Sequence, residues 1–112
     1  MTAATAMERA DALSPNSFTQ PEKCRHLATL ENRVRVELMG QATEADPPAP
    51  DADLLIPAPW DEAYLYYLAA MIAYTQGETA RYNEHIALFH TLWGAYADHY
   101  RRTHLPRVGF RY

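Results

Sequence analysis

Between Leu54 and Pro106 the chain reads LLIPAPWDEAYLYYLAAMIAYTQGETARYNEHIALFHTLWGAYADHYRRTHLP. Its apolar spacing predicts two long helices joined at Gly77. In the second, Tyr82, Ile86, Phe89, Trp93, Tyr96 and Tyr100 recur at alternating intervals of four and three, the seam of a helix packed along a partner. Leu88 and Leu92 lie off that seam and widen the apolar surface. In the first, Leu65, Leu68 and Ile72 form one stripe; Tyr64, Tyr67, Met71 and Tyr74 form an adjacent one. Ala69, Ala70 and Ala73 keep the remainder smooth. A helix apolar nearly all round has to be buried nearly all round. The first helix of the hairpin therefore needs cover on several sides, and tyrosine, with an apolar body and a polar tip, suits an interface. A monomeric bundle with the tyrosine hydroxyls in water is the other reading.

The elements before the hairpin are short. Thr2 to Leu13 reads as an Ala-rich helix capped by Thr2 or Thr5, with a thin stripe of Ala6, Ala10 and Leu13. Ser14-Pro15-Asn16-Ser17 ends it. Thr19-Gln20-Pro21-Glu22 is a capping box with Phe18 placed as a staple, opening a helix from Gln20 to Met39 that Gly40 closes. Leu27, Leu30, Val34 and Leu38 share one face of it, and Glu31 with Arg35 makes an i,i+4 pair. Residues 41–58 hold prolines 47, 48, 50 and 57 and no base, which predicts an extended acidic loop. Within it Leu54-Leu55-Ile56 should be buried and can form an edge strand. Pro59 fits the first position of the hairpin's leading helix, with Asp61 and Glu62 at its positive end. The trailing helix runs from about Glu78 to Arg102, roughly 36 Å at 1.5 Å per residue, and Pro106 stops it.

With 48% hydrophobic and 21% charged residues in 112, wholesale disorder is excluded and one domain is expected over 1–112. The N-terminal stretch lacks the basic start and apolar core of a signal peptide, and the longest run without a charged or amide side chain, Ala63–Thr75, is too short to span a bilayer. A soluble, intracellular protein is expected, its single Cys24 half-buried and forming no internal disulfide. The net charge of −4 is unevenly spread. Residues 41–62 carry Glu44, Asp46, Asp51, Asp53, Asp61 and Glu62 with no base, whereas 101–112 carry Arg101, Arg102, Arg107 and Arg111 with no acid. These segments attract each other within a chain or between neighbours, or stay solvated.

Signals for chemistry are weak. His85 and His90 are five apart, as are His99 and His104, which is not the i,i+4 spacing of a helical two-histidine site. Glu-x-x-His pairs of carboxylate di-iron bundles do not occur. The glycines at 40, 77, 94 and 109 are too scattered for a phosphate loop, and no Ser/His/Asp set stands out. The expectation is no enzyme, no metal and no cofactor. The last twelve residues are basic, Arg101 and Arg102 followed by the tail 103–112 with Arg107 and Arg111; interleaved with His104, Phe110 and Tyr112, they suit either a phosphate backbone or an acidic protein groove.

Three strings of the hairpin, PAPWDEAYLYYL (57–68), GETARYNEHIALF (77–89) and YRRTHLP (100–106), carry a resemblance, as does ALSPNSFTQPEK (12–23). The chain resembles the head–tail connector (adaptor) proteins of long-tailed phages and prophages. It departs from their pattern at Trp60, where tyrosine is commoner, at Arg101, where asparagine is expected, and in the proline-rich 47–50 stretch. The resemblance implies a compact helical bundle; the residues themselves predict an all-α bundle built on a long antiparallel C-terminal hairpin with an extended Pro-rich loop. The resemblance also implies a structural subunit of a ring joining portal to tail and continuing the DNA channel, made in host cytoplasm and housed in the virion. Its partners would be further copies of itself, the portal protein, a tail-completion protein and non-specific channel DNA, with no membrane. A ring needs two unlike sticky surfaces. Candidates are Tyr64, Tyr67, Met71, Tyr74, Leu88 and Leu92 for the subunit interface, and Arg101, Arg102, Arg107, Phe110, Arg111 and Tyr112 for portal or DNA. The alternative is a small intracellular helical regulator that works as a homodimer through the same hairpin.

Overall fold

The computed structural model describes residues 1–41 and 46–104. Its helices are α1 (Ala3–Leu13), α2 (Gln20–Arg33), which runs directly into a π-helical turn over Val34–Leu38, α3 (Glu62–Thr75) and α4 (Thr79–Thr103). α3 sits at the centre. It packs most extensively against α4, and also against α1 and α2. The all-helical bundle expected from sequence is thus observed, and among the described residues there is no strand.

Local chemistry explains the boundaries. Thr2 caps α1, its Oγ1 accepting from the Thr5 amide at 3.2 Å. The other free donors of that end are met by the acidic loop: Ala3 N–H donates to the Ala52 carbonyl (3.1 Å) and Ala4 N–H to that of Pro50 (2.7 Å). Proline lacks a donor but keeps its acceptor, so a proline-rich strap serves well here. The edge strand anticipated at Leu54-Leu55-Ile56 is not formed; a single antiparallel bridge joins Thr2 and Asp53. A ladder needs a second extended strand, and beyond Thr2 the partner chain is already helical. The burial anticipated for this segment does occur, with Leu54 at 7% exposure and Ile56 at 0%.

At α2 the Thr19 side chain accepts from Glu22 N–H (3.4 Å), but the return half of the capping box differs. The Glu22 carboxylate takes the Thr19 hydroxyl at 3.1 Å. The last turn widens, Met39 N–H reaching the Val34 carbonyl at 3.1 Å, and ends at Gly40 with φ 69°. α3 begins three residues later than Pro59 suggests. Pro57 to Asp61 form tight turns, with Trp60 N–H on the Pro57 carbonyl at 3.0 Å and a cis Ala58–Pro59 bond, and Asp61 is the N-cap. That turn seats the Trp60 indole on the His99 ring, centroids 4.4 Å apart.

Between α3 and α4, Glu78 N–H donates to the Ala73 carbonyl (2.9 Å) and Gly77 N–H to that of Tyr74 (3.2 Å), the doubly bonded stop that needs a left-handed residue. Gly77 supplies it at φ 75°. A Cβ there would meet nothing within 4 Å, so Gly77→Ala should cost the backbone strain alone, about 1–2 kcal/mol. A urea-denaturation midpoint unchanged from wild type would show the turn to be less constrained than this. α4 ends at Thr103 with His104 as cap; Pro106, expected to stop it, lies outside the described residues.

Candidate functional site

The seam of α4 lies where its spacing places it. Phe89, Trp93 and Tyr96 are buried against α3, with Tyr82, Ile86 and Tyr100 partly buried at the ends. The rings meet in sequence: Tyr67 on Phe89 at 5.1 Å, Phe89 on Trp93 at 6.3 Å, Tyr96 on Tyr100 at 6.1 Å. Arg33 from α2 closes one side, its guanidinium carbon 4.4 Å from the Trp93 centroid.

The proposed subunit interface divides on this structure. Tyr64 is withdrawn from it: at 0% exposure it lies inside the chain. Its hydroxyl accepts from Ile56 N–H at 2.7 Å and donates to Glu31 Oε1. Leu55 N–H donates to Glu31 Oε2 at 3.0 Å. Glu31, itself 3% exposed, is therefore not the surface partner of Arg35 that its spacing suggests but a buried carboxylate that holds the loop against α2 and α3. Burial drives its carboxyl above the usual glutamate range, opposed by the Tyr64 hydroxyl, the Leu55 amide and the Arg35 charge. Burial and the neighbouring carboxylate also push the Tyr64 phenol well up. A carboxylate so perturbed can mark an active site, but neither group is reachable by a substrate. The pair is a latch.

Tyr67 and Met71 are half-buried and Tyr74 is 70% exposed, so the second stripe of α3 emerges progressively towards the turn. There Tyr74 meets Tyr82 at 5.5 Å, and with Gly77, Thr79 and Asn83 they line a shallow cavity of about 250 Å³. On α4, Leu88 is 47% exposed and Leu92 is half-buried beside it. The remaining cover that α3 requires comes from the chain itself. Ala3, Ala6 and Ala10 of α1, all at 0%, form a small-residue face that lets α1 approach closely; Leu68, Ala69, Ala70, Ile72 and Ala73 are at 0% as well. Most of the cover that α3 requires thus comes from within the chain, and what stays exposed on the two helices is the turn end of α3 and a flank of α4.

The other candidate set is only partly described. Arg101 and Arg102 are exposed on the last turn of α4; Arg107, Phe110, Arg111 and Tyr112 lie outside the described residues. Together with Trp60, Ala95 and Asp98, the two arginines line an open groove of about 540 Å³. Trp60 and Asp98 were missed as candidates because their sequence positions, a helix N-terminus and an outer helix face, give no hint that they meet. Glu31 left a signal: it falls between Leu30 and Val34, on the face meant for the core.

His85, 9% exposed, meets the Ser14 hydroxyl at 3.5 Å through Nε2, and its Nδ1 has no protein partner. Among the described residues no group of three or more His, Cys, Asp or Glu side chains gathers as metal ligands, and no helix is long and apolar enough to cross a membrane. Comparison with protein-family models, curated proteins and solved structures finds no match to this chain.

Proposed function

We propose that this chain is a structural subunit of a phage or prophage head–tail connector, assembling as a ring between portal and tail. The observation that carries the reading is where the family-like strings fall. Each supplies a packing element of the hairpin: Trp60 and Tyr64 seat the start of α3, Gly77 and Tyr82 make the turn, and Tyr100 with His104, stacked 3.8 Å apart, closes α4. Support also comes from the surface, where an aromatic patch at the turn, Leu88 with Leu92, and the basic end of α4 are distinct patches, as a head-to-tail ring requires. The subunit contacts assigned to this role are Tyr67, Met71, Tyr74, Leu88 and Leu92, and the segment from Arg101 to Tyr112 faces the portal.

The decisive test mixes the chain with a portal protein from the same genome and images the product. A ring seated on the portal is expected, and removal of residues 107–112 should abolish binding while the far-UV circular dichroism stays unchanged. Undiminished binding by the truncated chain would remove the tail from this role. A stable dimer in solution that ignores the portal would favour the homodimeric regulator, which has the same exposed patch at Tyr74 and Leu88 to work with.

A further inference from the structure

We infer that the groove between Trp60 and the last turn of α4 receives the acidic, proline-rich strap of a second copy of this chain. The inference deepens the ring reading, on which it rests, by naming the two surfaces that meet. Two sets of charges form no ion pair among the described residues. They are Arg101 with Arg102, and Asp46, Asp51 and Asp53, all of them exposed. The acids just beyond the strap are already engaged, Asp61 with the Met1 amino group at 3.7 Å and Glu62 with Arg9 at 2.9 Å.

Within the chain the two sets form no ion pair among the described residues. Pro50 and Ala52 are tied through their carbonyls to the first turn of α1, and Asp53 is bridged to Thr2. The strap therefore presents its carboxylates outward. Its chemistry matches the groove in two ways. Two guanidinium groups against the single carboxylate of Asp98 leave the groove net positive, complementary to three aspartates. An indole along the wall suits exposed prolines at 47 and 50, since extended proline segments dock on aromatic surfaces with little entropy left to lose. Strap and groove are different patches, so the contact is head-to-tail and propagates round a ring.

Charge exchange tests it. One variant carries Arg101→Glu with Arg102→Glu; the other carries Asp46→Lys, Asp51→Lys and Asp53→Lys. In low salt, sedimentation equilibrium of the wild type should show self-association, weakened at least about tenfold in either variant alone. An equimolar mixture of the two should associate again, because each reversed surface now faces its complement. A zero-length carbodiimide should then cross-link the introduced lysines of one variant to the introduced glutamates of the other. Melting temperatures near wild type establish that both variants fold. Undiminished association of the single variants overturns the contact, as does a wild type that stays monomeric at its solubility limit with no cross-link in the mixture. If both variants still form the ring on the portal, this contact falls and the connector reading stands. If the wild type ignores the portal while the charge exchange succeeds, the connector reading falls and the contact stands.

Discussion

Tyr64→Phe is expected to destabilise the protein by about 3 kcal/mol, although it removes one oxygen atom. That oxygen is the acceptor for Ile56 N–H and the donor to Glu31, and all three groups are buried. Phenylalanine leaves the Ile56 backbone donor and Glu31 Oε1 unsatisfied away from water, each costing on the order of 1–3 kcal/mol. Urea denaturation should show the loss, and hydrogen exchange at Leu55 and Ile56 should accelerate. Tyr67→Phe, where no protein hydrogen bond is lost, should stay within about 0.5 kcal/mol. Equal effects at the two positions would mean that the latch contributes nothing.

The same latch predicts a pH dependence. Burial raises the Glu31 carboxyl in the folded chain above its unfolded value, so the folded state holds that proton more tightly. Its stabilising contribution is therefore complete below the ordinary glutamate range and is lost as pH rises through the higher folded value. Measured against Glu31→Gln, which does not titrate, the wild type should lose relative stability across that window and level off above it. A difference that grows with pH would show that the Tyr64 and Leu55 donors outweigh the desolvation.

Phe89→Ala should cost about 3–5 kcal/mol, the usual toll of emptying an aromatic site in a close-packed core. Phe89 is 1% exposed and lies under Tyr67, beside Trp93 and 5.9 Å from the Arg33 guanidinium, so three elements lose contacts at once. In a domain this small each kcal/mol lowers the melting temperature by roughly 4–8 °C, so a fall of more than about 12 °C is expected by calorimetry. Leu88→Ala, one residue away but 47% exposed, should leave melting nearly unchanged and weaken assembly instead. Similar melting losses at both sites would contradict the assignment of Phe89 to the core and Leu88 to the outer surface.

The two helices after the loop were legible in the residues. Gly77 and the proline-free, 3.6-periodic runs on either side specify two helices and their turn, because those signals act within a few residues. Pro59 misled, since proline at a helix start and proline in a preceding turn look alike until it is known that Trp60 is seated on His99. Glu31 misled more seriously. Its i,i+4 relation to Arg35 is a correct statement about a helix surface, but position 31 faces inward, where the Tyr64 hydroxyl and the Leu55 amide replace water.

The residues alone therefore determined the number of helices after the loop, the glycine turn between them and the register of the α4 seam, since each follows from chain stiffness and hydrogen bonding between near neighbours. Only the tertiary structure decided which faces stay open. The alanine face of α1 and the strap over it cover α3, the latch removes Tyr64 from the surface, and Trp60 meets Arg101 and Arg102 across a groove. Burial is a property of neighbours in space, and positions some thirty or more apart in the chain become neighbours only when the bundle closes.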